Sequence, residues 1–166
     1  LNSRGYPPSD VPETADSYGW QENRDDVIAL LEHLQIEKAH IVGLSMGGYI
    51  ALMLGLTAPE RCLTVVCASS GSGAHPPTRE AFIQDSVTSA ERILKDRQIP
   101  AEGMASAPNR IQLKTKDEAA WKQFCQHLAN RPYLGAAHTL SEVQAKRPNL
   151  HDFAGQLARL MLPVLL

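Results

Sequence analysis

Three observations predict an α/β fold in which a parallel sheet is covered by helices. Ala39 to Val42 and Leu63 to Ala68 are short, apolar, β-branched runs, the composition of buried strands in a parallel sheet. Gly48 to Leu56, between them, reads as an apolar helix, and Pro163-Val164-Leu165-Leu166 opens a third strand-like run. An amphipathic helix precedes the first run, so helix, strand, helix and strand alternate and imply right-handed crossovers.

Each element has its own signal. Leu1 to Gly19 are rich in Pro, Gly, Ser and Asp and read as a loop. From about Gln21, the residues Val27, Leu30, Leu31 and Leu34 fall on one helical face. Glu22, Asp25 and Asp26 lie in the early turns, where the helix dipole favours negative charge. Ser69 to Pro77 is a second loop, and beyond it the pattern becomes helical. Phe82, Val87, Ala90 and Leu94 fit one helix, and Trp121, Phe124, Cys125 and Leu128 a second. Leu134, Ala137, Leu140 and Val143 suggest a third, while Phe153, Leu157 and Leu160 suggest a fourth, with Asp152 as its N-cap. No strand signal appears between Pro76 and about Asn149. The chain therefore divides into a sheet segment over 1–75, a helical insertion over 76–149 and a return to the sheet over 150–166.

The chemistry concentrates in Gly43-Leu44-Ser45-Met46-Gly47. A G-x-S-x-G pentapeptide set between a strand and a helix is a nucleophile elbow, which projects its serine from a sharp turn. Gly43 and Gly47 are expected to be glycine because a Cβ at either flank would strike the neighbouring strand or helix. Gly47, Ala51 and Gly55 recur every four residues and predict a bare helix face against the sheet. Ser45 is the candidate nucleophile, and the backbone N–H of Met46 is the candidate oxyanion donor.

The bulk properties exclude several classes. In 166 residues, 16 Lys and Arg against 18 Asp and Glu give a net charge of −2, with no basic run for nucleic acid. No stretch approaches the roughly 20 apolar residues of a membrane span. Cys62, Cys67 and Cys125 form no CxxC pair, which favours a reduced, cytoplasmic setting. The chain begins at Leu1 rather than Met, so a signal peptide upstream stays open. HExxH, Cys/His clusters, GxxxxGK and a strand-linked GxGxxG are all missing from the sequence, so neither a metal nor a cofactor is expected.

With these motifs the chain resembles the α/β-hydrolase superfamily, in its capped esterase, lactonase and haloperoxidase-like branch. Asn2 to Ser9 is similar to the D-x-R-G-x-G-x-S turn of that branch, matching at Arg4, Gly5 and Ser9 and departing at Asn2 and Pro7. Ala39 to Gly48, AHIVGLSMGG, resembles its elbow almost letter for letter. The resemblance implies a partial fold, a sheet core truncated at both ends with a helical cap over the serine. It also implies that the oxyanion motif, the catalytic acid and the catalytic histidine lie outside this stretch. A serine becomes nucleophilic only when a base takes its proton and an acid orients that base. No internal acid or base is nominated. Among His33, His40, His75, His127, His138 and His151, only His75 and His138 are expected near a substrate pocket.

The expected substrate is a small ester, thioester or lactone, with a homo-oligomer left open. A perhydrolase, acyltransferase or C–C hydrolase on the same triad is an open alternative. So is a catalytically silent ligand-binding protein or inactive fragment.

Overall fold

In a computed structural model, which describes residues 1–108 and 110–166, three strands form one parallel sheet in the order β1-β2-β3. The strands are β1 (Ala39–Leu44), β2 (Cys62–Ala68) and β3 (Val164–Leu165). Register runs from His40 against Thr64 to Leu44 against Ala68, with Val65 and Val66 beside Val164 and Leu165. Parallel neighbours require a crossover. The first crossover is α2 (Met46–Thr57), and α1 (Trp20–His33) packs beside it.

The main core sits between α2 and the sheet. Eight consecutive residues of α2, Gly48 to Gly55, are buried, as expected of a helix that is apolar on every side. Val65, Cys62 and Cys67 of β2 meet it, and Trp20, Val27 and Ile28 of α1 close the flank. Leu34 does not join them. The helix ends at His33, and Leu34, its C-cap, is 54% exposed.

The two strands are less covered than their composition suggests. Val42 is 73% exposed and Leu44 70%, so β1 is no more than half-buried, and only on alternate residues. β2 likewise leaves Leu63 open while burying Cys62, Val65 and Cys67. The physical reason is one-sided covering: α1, α2 and the Phe153–Leu162 stretch all pack into the one core built on α2.

Between β2 and β3 the described residues are helical or irregular. They form α3 (Pro76–Asp96), the short α4 (Ala101–Ala105) and α5 (Gln112–Lys116), α6 (Glu118–Ala129) and α7 (Tyr133–His138). The sequence pattern did not suggest α4 or α5, which are single turns too short to show a periodicity. Asp117 caps α6 by accepting from the Ala120 N–H at 2.9 Å. α7 widens into a π-helical stretch at Thr139–Gln144 rather than continuing as one α-helix. These helices bury their own apolar clusters, one around Ala90, Ile93, Ile99 and Ala137, another around Ala105, Trp121 and Leu128.

The last helical stretch is shorter than its apolar spacing implied. It starts as a 3-10 turn at Leu150–Phe153, ends with α8 (Ala154–Leu157), and leaves Leu160 beyond it. Its N-cap is Asn149, whose side chain accepts from the His151 N–H at 3.1 Å. Asp152 stands three residues on and accepts from the Asn149 N–H at 3.0 Å, the reciprocal half of a capping box. Among the described residues no helix is long and apolar enough to cross a membrane.

Candidate functional site

Ser45 sits at the junction of β1 and α2 with φ 54° and ψ −116°, in the left-handed half of backbone space. A non-glycine residue there is held by its surroundings, at a typical cost of about 1–3 kcal/mol. Two hydrogen bonds hold it: the Ser45 N–H donates to Ala68 O at 2.8 Å, and Ser45 O accepts from the Tyr49 N–H at 3.1 Å. The first ties the turn to the end of β2; the second starts α2. The side chain is exposed.

The close approaches that permit this turn fall on two glycines. A Cβ on Gly43 would lie 2.0 Å from Gly47 O, and one on Gly48 would lie 2.1 Å from Ser70 Oγ. Gly47 itself has no atom within 4 Å of a notional Cβ. The steric demand expected at Gly47 belongs instead to Gly48, because it is the Gly48 side of the helix that turns toward β2. Gly55 also approaches the sheet: a Cβ added there would lie 3.0 Å from Val65 Cγ2.

Met46 is the first residue of α2. N–H groups in a first helical turn lack intrahelical acceptors, and the helix dipole makes that end favourable for negative charge. A strained serine beside such a group sets a hydroxyl next to an N–H at a helix start, an arrangement able to hold a negatively charged oxygen.

Ser45 and Met46 open into a cavity of about 810 Å³. The N-terminal loop contributes Tyr6 and Pro7 to its wall, and the helical stretch contributes Ile99, Met104, Leu128 and Leu140. Arg110 and Arg131 also line it, whereas no Asp, Glu or His does among the described residues. Arg131 stands 5.6 Å over the Tyr6 ring, and Arg110 donates to Met104 O at 3.2 Å. The sequence pattern singled out neither arginine. The available signal was Arg131-Pro132 between two helical patterns, a cation with no acid next to it in the sequence.

The two candidate histidines are placed elsewhere. His75 is exposed at the N-cap of α3 and does not line the cavity. His138 is buried, with Nε2 at 3.1 Å from Glu13 O and its ring 5.1 Å from that of Tyr18. That hydrogen bond ties α7 to the N-terminal loop. His40 pairs through Nδ1 with Thr64 Oγ1 at 2.9 Å across the sheet.

The Asn2–Ser9 turn is fixed by its matching residues. Arg4 grips Asp26 of α1 through Nε and Nη2 at 2.8 and 2.6 Å, and donates Nη1 to Ser17 O at 2.5 Å. The Asp26 hydrogen bond holds the Arg4 guanidinium above its ordinary pKa. Ser9 Oγ donates to Asn2 O, and Asn2 Nδ2 donates to Pro7 O, each at 2.7 Å. The departing residue Asn2 thus makes its own turn contact.

Comparison with known proteins agrees with this architecture. A family model described as alpha/beta hydrolase fold matches residues 1–141. The chain is 42% identical over 55 residues to rhodomycin D methylesterase DauP of a Streptomyces species, covering 33% of this chain and 18% of that one. It is 39% identical over 71 residues to 3-oxoadipate enol-lactonase 1 of Acinetobacter baylyi, covering 43% and 26% respectively. A solved hydrolase from Pseudomonas aeruginosa superposes with a TM-score of 0.74 at 26% identity, over 98% of this chain and 57% of that one. The chain therefore spans little more than half of that hydrolase, and its matched stretches about a quarter or less of the two curated relatives. On its motifs, its sheet and these matches, the chain belongs to the alpha/beta hydrolase fold family.

Proposed function

We propose that the chain carries the nucleophile of a serine hydrolase acting on a small carboxylic ester, thioester or lactone. The observation that carries this reading is Ser45, held at φ 54° on the strand-to-helix turn and opening into the 810 Å³ cavity. In the proposed reaction Ser45 Oγ attacks the carbonyl carbon while a base takes its proton. The Met46 N–H, with a second donor from outside this stretch, stabilises the oxyanion. The C–O or C–S bond then breaks, the leaving group takes the proton, and water hydrolyses the acyl-serine.

Residues 1–75 and 150–166 are read as a partial core, and 76–149 as a cap over the serine. On this reading the acid and histidine of the triad lie outside residues 1–166, which is supported by the lack of either type in the cavity lining among the described residues. Arg110 and Arg131, unopposed by any lining carboxylate, favour a substrate that carries negative charge. The same lack of an internal base favours a second reading, a catalytically silent ligand-binding protein.

Reaction with a fluorophosphonate probe separates the two, with Ser45→Ala as control and p-nitrophenyl butyrate turnover alongside. The hydrolase reading expects labelling at Ser45 once the flanking sequence is supplied. Absence of labelling in both the 166-residue chain and an extended form overturns it. Wild-type turnover by the 166-residue chain alone would instead refute the external placement of the acid and histidine.

A further inference from the structure

Arg147 is 3% exposed and forms no ion pair with an Asp or Glu among the described residues. Its guanidinium carbon stands 4.7 Å over the Tyr49 ring and 5.6 Å over that of Phe82. Nη2 donates to Ser72 O at 2.7 Å, and Nη1 is buried without a partner. The narrow crevice lined by Tyr49, Ser72, Arg79 and Arg147 has no room for a water molecule. Enclosing an unpaired guanidinium in this way costs several kcal/mol, and a well-packed neutral side chain of similar volume is often more stable.

The surrounding bonds give a reason for that cost. The chain enters the helical stretch over 72–79 and leaves it over 147–149, and the two strings are tied together at this point. Arg79 donates Nη2 to the carbonyl of Arg147 and Nη1 to Gly73 O at 3.1 Å. Asn149 Nδ2 donates to Ala74 O at 3.0 Å, and Tyr49 OH to Pro148 O at 3.1 Å. Tyr49 also supplies the N–H bonded to Ser45 O. The tie therefore stands on the first turn of the helix that follows the serine.

We propose that Arg147 is a positioning residue, a cationic wedge between Tyr49 and Phe82 that clasps the neck of the helical stretch and fixes that stretch over Ser45. Its effect on catalysis rests on the reading of Ser45 as nucleophile; the clasp itself does not. In this proposal the guanidinium contributes geometry at the neck rather than stability.

The test compares Arg147→Met, Arg147→Lys and Arg79→Met. Urea unfolding and amide hydrogen exchange are read in the 166-residue chain, and kcat and KM for p-nitrophenyl butyrate in an extended, active form. Arg147→Met is expected to keep or raise the urea midpoint while exchange over 72–79 and 133–144 accelerates by about tenfold or more. Turnover is expected to fall about 10- to 100-fold, chiefly in kcat, because the groups facing Ser45 are misplaced. Arg147→Lys keeps the charge and a donor group, without the planar fork, and recovers part of the loss. A lowered midpoint with exchange faster everywhere makes Arg147 merely structural and overturns the proposal, as does unchanged exchange at the neck. Should Arg147→Met fail to fold, Arg79→Met decides by the same exchange readout. Faster neck exchange with no Ser45 chemistry in any form would sustain the clasp and refute the nucleophile reading alone.

Discussion

Gly5 and Gly135 meet backbone to backbone. A Cβ on Gly135 would lie 2.0 Å from Gly5 O, and one on Gly5 would lie 2.9 Å from Gly135 Cα. The contact joins the Arg4 turn to α7, beside the bond from His138 to Glu13 O. Gly135→Ala must push the two segments apart. It is expected to destabilise by about 1–3 kcal/mol, the usual cost of overfilling a close contact. Urea unfolding would measure it, and an unchanged midpoint would show that the turn and α7 separate freely.

Gly47 and Gly48 are neighbours with opposite surroundings. Gly48→Ala is expected to cost about 1–3 kcal/mol, since its Cβ meets Ser70 Oγ at 2.1 Å and Ala68 O at 3.0 Å. Gly47→Ala, with open space around it, is expected to be neutral or slightly stabilising, by up to about 1 kcal/mol. Adding Ser70→Ala should relieve part of the Gly48→Ala penalty. The reverse ranking in thermal unfolding would contradict the described packing at the helix start.

Strain at Ser45 can be read apart from chemistry. Ser45→Gly and Ser45→Ala both remove Oγ, but only glycine relaxes at φ 54°. Ser45→Gly is expected to be the more stable of the two by about 1 kcal/mol. Equal urea midpoints would mean the turn carries no strain.

Burial pushes the Tyr49 phenol up to about 12, against the opposing pull of Arg147 and Arg79. An unfolded tyrosine ionises near pH 10. The folded state thus favours the neutral phenol, so its contribution is complete below about pH 10 and is lost as pH rises toward about 12. Melting temperature followed over that window should fall more steeply in the wild type than in Tyr49→Phe. Tyr49→Phe should itself lose about 0.5–1.5 kcal/mol at neutral pH with its bond to Pro148 O. Parallel curves would remove Tyr49 from the alkaline transition.

Arg131→Gln, in an active form, should raise KM about 5- to 50-fold for an ester bearing a terminal carboxylate, the scale of one lost charge-assisted contact. For a neutral ester of the same length KM should hardly change. An equal effect on both esters would mean that Arg131 acts through Tyr6 packing rather than through charge.

Much of this was legible from residue order. The turn at Ser45 was visible because a strand, a glycine-flanked serine and an apolar helix are consecutive in sequence. The absence of strands among the described residues of the helical stretch was visible in its spacing. What depends on distant neighbours was not. Gly48 rather than Gly47 carries the steric demand because Ser70, 22 positions away, lies against it. His138 is directed to Glu13 O by a contact spanning 125 positions. Arg147 has no local pattern at all, since Tyr49, Ser72 and Phe82 reach it from three different segments. Apolar composition reports what a strand can bury, not what covers it: Val42 and Leu44 face the cavity beside Ser45 rather than a packed core, and so stay exposed.

The exposed face of β1 has a practical consequence. Val42 and Leu44 lie on the strand that runs into the turn at Ser45, and both line the cavity that the serine opens into. Their side chains give that cavity a greasy floor, so an apolar group settling there sheds water from Val42 and Leu44 as it comes up to the serine.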